Sequence, residues 1–317
     1  MNEPESPLSH PLPGRRAIEP SRISQCVISF GSNLGHRREL ISLAAQQIAA
    51  SDVVLRGSGS QAGGLQTSRL FETPPIGGPG GQEPFLNAVG VFQTVAPARA
   101  VLSLLQGLED RLGRERRRRW DARSIDLDVV LHGQLVGGTT GLVVPHPRYT
   151  ARQFVLQPAC DVAAHFRDPR FGWTLQELAD HLSADVPSLA LVSGRAEVRQ
   201  ELCRRLRTER GIAIREFSPD SLPPTAPWVS SEMPHLPSAG QASVSSLPGL
   251  PRLLVRIHQA NGVTRWPAPH LMWPGGWRWP EYRLEIDAMD WAVSELASAL
   301  DSMRCEGRPV TADGGWW

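Results

Sequence analysis

The order of short apolar strands and amphipathic helices between residues 25 and 181 most constrains the fold. Alternating or continuous apolar residues indicate strands, and these lie at 26–30, 52–56, 67–71, 86–94 and 125–131. Apolar residues at helical spacing indicate helices over 37–48 and 97–112. This order predicts an α+β unit, a ferredoxin-like sandwich in which helices pack on a mainly antiparallel sheet.

Composition separates a tail and a C-terminal region from the main domain of the 317-residue chain. Residues 1–22 are Pro-rich and lack an apolar core, which predicts a disordered tail and argues against a signal peptide. The main domain would then cover 23–185. Strand and helix patterns in 186–317 predict a smaller C-terminal α/β domain, which contains a Pro- and Ser-rich insertion at 218–251.

Charge and residue usage exclude several classes of protein. No apolar run approaches the roughly 18 residues of a membrane helix, and a net charge of +1 gives no general attraction to polyanions. All 33 basic residues are arginine, which excludes a phosphate-loop lysine or a Schiff base. The four cysteines form no CxxC pair and are typical of reduced cytoplasmic thiols. We therefore expect a cytoplasmic protein with neither a membrane nor a nucleic acid as its partner.

The stretch 114–128 carries the residue types of phosphoryl transfer. Asp126 and Asp128 lie two apart on a predicted strand, so both carboxylates leave the face opposite the core, about 6.6 Å apart at the backbone. Such a pair suits Mg²⁺ when substrate phosphates complete its coordination. Trp120 offers a flat surface to a heterocycle. Guanidinium groups grip phosphate bidentately, and arginines stand just upstream at Arg114, Arg116, Arg117, Arg118, Arg119 and Arg123.

Taken alone, this arginine run has another interpretation. It could be a solvated loop or an RNA-binding patch, with one aspartate merely paired with an arginine. The carboxylate pair at strand spacing, directly after the arginines, favours phosphoryl transfer over that interpretation.

One motif reads Arg119-Trp120-x-x-Arg123-x-x-Asp126-Leu127-Asp128. It resembles the signature of 6-hydroxymethyl-7,8-dihydropterin pyrophosphokinase, an enzyme family of the folate pathway. Other segments agree in the family's order: 30–35, 73–76 with 85–88, and 144–148 with Arg152 and 154–156. The resemblance covers about residues 24–182. It implies a ferredoxin-like fold and transfer of pyrophosphate from ATP to the pterin hydroxymethyl group, with release of AMP.

The resemblance also implies a set of site residues. Asp126 and Asp128 match the ligands of two magnesium ions, and Arg114 and Arg123 match catalytic arginines on the phosphates. Contacts with ATP, the co-substrate, are implied for Gln106, Glu109, Arg116, Arg119, Trp120, His146 and Arg152. Contacts with the pterin are implied for Thr73, Pro74, Ile76, Phe85, Asn87, Trp120 and Phe154.

One departure from the family concerns the loop between Trp120 and Arg123. Asp121-Ala122 stands where the family usually has Gly-Pro, which adds a negative charge beside the phosphates but spares every implied ligand. An alternative function is a catalytically reduced pterin- or nucleotide-binding module that regulates folate enzymes. Release of AMP distinguishes the enzyme from that module.

The C-terminal region 186–317 is faintly similar to a nucleoside-kinase-like domain that has lost its phosphate loop. Ser193-Gly194-Arg195 stands where that loop would be, and the chain has no lysine to complete it. We therefore expect a non-catalytic domain, kept for packing or for self-association.

Overall fold

A computed structural model describes residues 23–56, 64–114, 121–139, 141–217, 225–232, 249–259 and 279–317. The predicted disordered tail lies outside these residues. So do three members of the implied ATP site, Arg116, Arg119 and Trp120. Within the described residues, no helix has the length and apolar character needed to cross a membrane.

Strands and helices alternate along most of the chain. The strand predicted at 52–56 does not form, because residues 52–54 make a turn after the first helix. The strands are β1 (Ser24–Ser32), β2 (Gln66–Thr67), β3 (Phe71–Thr73), β4 (Phe85–Thr94), β5 (Asp126–His132), β6 (Gly137–Thr139), β7 (Leu142–Val144), β8 (Ser188–Val192), β9 (Ala213–Ile214), β10 (Trp228–Ser230), β11 (Leu253–Gln259), β12 (Glu281–Ile286) and β13 (Arg308–Pro309). The helices are α1 (Arg37–Ala50), α2 (Ala98–Arg111), α3 (Gln153–Val162), α4 (Leu175–Ser183), α5 (Ala196–Arg210) and α6 (Met289–Met303), and a 3₁₀ turn covers Tyr149–Ala151.

The first sheet is antiparallel and has the order β13-β3-β4-β1-β5, with β2 paired to β4. β1 lies between β4 and β5 and pairs with both along its length. The mixed helix and strand content and the antiparallel sheet confirm that part of the predicted fold class.

The two faces of this sheet have different partners. Ile28 and Leu127 are buried on one face with the apolar residues of α1 and α2. Val27 and Val89 are buried on the other face with residues of α3, α4 and the C-terminal region. Alternation along β5 buries Leu127 and Val129, so that the strand's two aspartates lie on the second face, as predicted.

A second sheet is parallel and has the order β12-β11-β8-β10-β9. Its β10 lies within the predicted Pro/Ser-rich insertion, yet Trp228 in that strand is fully buried. The insertion therefore contributes a core strand, which its composition did not indicate. Apolar residues of this sheet join the same buried cluster as α3 and α4.

The last residues return to the first sheet. β13 pairs with β3, and the Val310 N–H donates to the Leu70 carbonyl at 2.8 Å. The Trp316 indole N–H donates to the Ser68 carbonyl at 2.7 Å, and its ring meets Phe30 edge-on. Residues 308–317 thus pack on the N-terminal sheet, while the boundary at residue 185 stays a prediction.

A buried histidine predicts how stability depends on pH. His181 lies between the rings of Trp173 and Trp279, and its Nε2 donates to the Arg252 carbonyl at 2.9 Å. Burial, helped by the charge of Arg252, lowers the pKa of His181 to about 3. Between about pH 6.5 and 3 the unfolded chain binds a proton that the folded chain does not, so stability is lost as the pH falls through this window.

We expect His181→Gln to flatten this dependence by up to about 1.4 kcal/mol per pH unit. The measurement is urea unfolding at several pH values between 7 and 4. His36→Gln is the matched control, because the His36 side chain is 85% exposed. Equal slopes for the His181 variant and the wild type would contradict the prediction.

Candidate active site

Asp126 lies in a row of paired residues that crosses three strands. Gly31 of β1 pairs with Asp126 of β5 on one side and with Asn87 of β4 on the other. A Cβ at Gly31 would lie 3.4 Å from the Asn87 Oδ1 and 3.7 Å from the Asp126 Cβ. The absence of a side chain at Gly31 therefore leaves room for the side chains of Asn87 and Asp126 above β1.

Arginines hold both oxygens of Asp126. The Arg114 Nη1 lies 2.7 Å from its Oδ1, and the Arg123 Nη1 donates to its Oδ2. Glu109, which is buried on α2, accepts hydrogen bonds from Arg114 and from the Leu127 N–H, the latter at 2.8 Å. Burial raises the pKa of Glu109, and these two donors oppose that rise. Glu109 therefore orients Arg114 from beneath the site.

Asp128 faces a histidine and an arginine. Its Oδ2 lies 3.6 Å from the His146 Nε2 and 3.8 Å from the Arg152 Nη1. The His146 Nδ1 accepts the Arg148 N–H at 3.2 Å, which places the proton of a neutral ring on Nε2. Burial and the charges of Arg152 and Arg148 lower the pKa of His146 well below its usual value, so His146 is neutral and directs an N–H toward Asp128.

These groups line a cavity of about 300 Å³. Among the other lining residues, Asn87 Nδ2 donates to the Thr73 Oγ1 at 2.7 Å, and the half-buried rings of Phe85 and Phe154 form part of the cavity wall. The structure brings together these sequence-predicted residues: Thr73, Pro74, Ile76, Phe85, Asn87, Arg114, Arg123, Asp126, Asp128, His146, Arg152 and Phe154.

Two described candidates do not line this cavity. Gln106 is exposed on α2, and Glu109 reaches the site through Arg114. Arg116, Arg119 and Trp120 lie outside the described residues.

Sequence reasoning missed Asn33, which the motif 30–35 contains. Its Oδ1 accepts the Arg123 N–H at 2.7 Å, and its Nδ2 donates to the Gln82 Oε1 at 3.0 Å. Asn33 therefore joins Arg123, just before β5, to Gln82 in the loop before β4. A short amide side chain in a turn after a strand is a local signal of such backbone bonding.

Other cavity residues were not among the predicted site residues. Asp121 and Arg148 lie in segments that the family resemblance singled out, without a site role of their own. Further lining residues are Gly31, Gly77, Gln82 and Ala151 and, from the C-terminal region, Tyr282, Glu295, Ser298, Ala299 and Ser302.

The donor set suits a magnesium ion that binds with its substrate. Among the described residues no group of three or more His, Cys, Asp or Glu side chains could hold a metal. Asp126 and Asp128 are oxygen donors on a rigid strand, and Mg²⁺ is commonly held by one or two carboxylates plus substrate phosphates. To bind Asp126, the ion would have to displace Arg114 and Arg123 from the two carboxylate oxygens.

Comparisons with known proteins identify the family of this chain. A profile of the family described as 7,8-dihydro-6-hydroxymethylpterin-pyrophosphokinase (HPPK) matches residues 27–164. A 2-amino-4-hydroxy-6-hydroxymethyldihydropteridine pyrophosphokinase of Pseudomonas aeruginosa is 35% identical over 147 residues, which is 46% of this chain and 85% of that protein. The chain belongs to the HPPK family.

Further HPPK relatives differ in how much of their length is matched. The Haemophilus influenzae pyrophosphokinase is 30% identical, over 49% of this chain and 92% of its own length. The Pneumocystis carinii folic acid synthesis protein fol1 is 33% identical over 49% of this chain, which spans only 20% of that protein. A solved structure of Plasmodium falciparum HPPK-DHPS aligns with a TM-score of 0.39 at 11% identity, over 61% of this chain and 56% of its own.

The HPPK match contains every site residue that the sequence predicted, from Thr73 to Phe154. It does not extend to the C-terminal residues of the cavity wall, such as Tyr282 and Glu295.

Proposed function

We propose that this chain transfers pyrophosphate from ATP to 6-hydroxymethyl-7,8-dihydropterin and releases AMP. The observation that carries the proposal is one cavity lined by two chemically different groups of side chains. One group is Asp126 and Asp128 among arginines, as a magnesium triphosphate requires. The other is an Asn87 amide and two phenyl rings, which suit a flat heterocycle that bears donors and acceptors.

In this reaction the pterin hydroxymethyl oxygen attacks the β-phosphorus of ATP in line with the bond that breaks. An O–P bond forms, the bond between the β-phosphorus and the bridging oxygen of AMP breaks, and the hydroxyl proton is released. Arg114 and Arg123 neutralise the charge that develops on the phosphates. Magnesium, when bound, stabilises charge on the phosphate oxygens.

Three finer assignments belong to the same proposal. Asp126 and Asp128 would hold two magnesium ions. His146 and Arg152, next to Asp128, would contact ATP together with Arg116, Arg119 and Trp120. Glu109 would act through Arg114, and a contact from Gln106 is not supported because Gln106 does not line the cavity. Thr73, Pro74, Ile76, Phe85, Asn87, Trp120 and Phe154 would hold the pterin.

The N-terminal sheet, we propose further, is ferredoxin-like. Its strands β3-β4-β1-β5 are neighbours in that order, and α1 and α2 cover one face together. This matches two interlocked strand–helix–strand units. The protein would act in the cytoplasm, as its unpaired cysteines suggest.

The C-terminal region would catalyse no reaction of its own. At the carboxyl end of β8, the Arg199 guanidinium donates to the Ser193 and Gly194 carbonyls at 3.0 and 2.9 Å. Arg199 thus holds the turn after β8 by its carbonyls, and no lysine is available there to bind a phosphate. This region stays a candidate surface for self-association.

The test is release of AMP by the purified full chain. We expect AMP to form only with ATP, Mg²⁺ and 6-hydroxymethyl-7,8-dihydropterin together, in equal amount to the pterin diphosphate. The matched control substrate is 6-methyl-7,8-dihydropterin, which keeps the ring but lacks the attacking oxygen. Binding of the pterin without AMP release would indicate a regulatory module, and AMP release with the 6-methyl compound would indicate simple ATP hydrolysis.

A further inference from the structure

The C-terminal region supplies one wall of the substrate cavity. The aspartates lie on the sheet face opposite α1 and α2, and that face packs against the C-terminal region. Side chains of β12 and α6 line the same cavity as the aspartates: Tyr282, Glu295, Ser298, Ala299 and Ser302. These residues lie outside the HPPK match, which ends at residue 164.

The strongest link across this wall joins Glu295 to Arg148. The Arg148 Nε donates to the Glu295 Oε1 at 2.7 Å and its Nη2 to Oε2 at 2.9 Å, a bidentate pair. The Tyr282 hydroxyl adds a third bond to Oε1 at 3.1 Å. The Glu295 side chain is only 4% exposed, whereas that of Arg148 is 30% exposed. The carboxylate is therefore fixed in the wall, and the guanidinium reaches the cavity.

The backbone around Arg148 is held by β12 as well. The Arg283 N–H donates to the Pro147 carbonyl at 3.0 Å, and the Thr150 hydroxyl donates to the Glu281 carbonyl at 2.9 Å. These bonds lie on either side of Arg148 in the sequence, so β12 fixes the main chain around Arg148, while Glu295 of α6 fixes its side chain.

Arg148 brings a positive charge to the cavity that Asp128 and Arg152 also line, where it could bind an anionic substrate. The main-chain N–H of Arg148 donates to the His146 Nδ1, and the His146 ring faces Asp128, which also lies near Arg152. Glu295 takes two of the three Arg148 guanidinium nitrogens, and Nη1 has no hydrogen-bond partner among the described residues. A guanidinium held by one fork can still bind phosphate with its remaining N–H groups.

We infer that Glu295 is a positioning residue that holds Arg148 toward the phosphates of the nucleotide. The C-terminal region thereby becomes part of the nucleotide site. This inference rests on the proposed function for the identity of the nucleotide, ATP.

The test compares Glu295→Gln with the wild type in the full chain. The glutamine keeps the size of the side chain but loses the charge and one acceptor of the bidentate pair. We expect the KM for ATP to rise about tenfold, which is the lower end of what loss of an orienting partner costs. The kcat and the KM for the pterin should stay within about twofold. Arg148→Ala should give a similar rise, and the double variant should be no worse than Arg148→Ala, because Glu295 acts through Arg148.

The matched control is Glu201→Gln, which breaks the exposed pair of Glu201 with Arg204 on α5 and should leave every constant unchanged. Tyr282→Phe removes only one bond to Glu295 and should raise the KM for ATP two- to threefold. That variant tests the inference if Glu295→Gln folds poorly in a thermal melt. An unchanged KM for ATP in both variants, or an equal rise for both substrates, would overturn the inference.

A second readout separates this inference from the proposed function. Titration calorimetry with an ATP analogue that carries a methylene between the α- and β-phosphates measures binding without turnover. If the wild type releases no AMP, the proposed function fails. A roughly tenfold weaker analogue affinity in Glu295→Gln would still support the positioning role, and equal affinities would overturn it.

Discussion

Replacement of Asp126 by alanine should lower the kcat for AMP release by at least about a hundredfold, the scale of one lost transition-state interaction. Asp126 would bind magnesium and, in its absence, holds Arg114 and Arg123. The variant loses a metal ligand and the anchor of both arginines. Its fold should survive, because the Asp126 side chain lines the cavity and is not part of either apolar cluster.

The measurement is steady-state AMP release at saturating ATP and pterin, with circular dichroism melts as the check on folding. Asp180→Ala is the control, since Asp180 is an exposed aspartate on α4. Turnover near the wild-type value in the Asp126 variant would remove the metal assignment.

Asp168→Ala should lower the free energy of unfolding by about 3–5 kcal/mol, the typical cost when one member of a buried ion pair is removed. Asp168 and Arg170 are both fully buried, and their closest atoms lie 2.6 Å apart. The buried Tyr149 hydroxyl donates to the same carboxylate at 2.6 Å. The substitution removes the carboxylate that both groups share.

Urea unfolding measures this loss. Asp161→Ala is the matched control, because Asp161 pairs with Arg69 at the surface, where an ion pair contributes about 1 kcal/mol or less. Equal destabilisation by the two substitutions would contradict the prediction. Because Tyr149 directly follows Arg148, the Asp168 variant should also weaken binding of the nucleotide.

Local patterns predicted the parts of the fold with regular periodicity. The alternation along β5 placed Leu127 in the core and both aspartates on the other face, as observed. β10 and β13 were missed because strands of two or three residues have no detectable period. Such strands form because a neighbouring strand offers them a place in a sheet, and sequence patterns do not contain that information.

The residues of the candidate site likewise divide into those that local sequence patterns predict and those that depend on contacts with distant residues. The predicted site residues lie in motifs within 27–164, where residue types at short spacing indicate chemistry. Asn33 carried a weak local signal. Glu295 carried none, because it is separated from Arg148 by 147 positions in the chain, and a glutamate on an amphipathic helix resembles any other.

The pairing of β13 with β3 has a consequence for biosynthesis. Arg308 contacts Glu72 across 236 positions, so a nascent chain that already contains the whole HPPK match still presents β3 with an open outer edge. That edge belongs to the strand that carries Thr73, which lines the cavity. An unpaired edge invites association with other chains during synthesis. The edge of β3 beside the cavity is therefore covered only after residues far beyond the HPPK match have been synthesised.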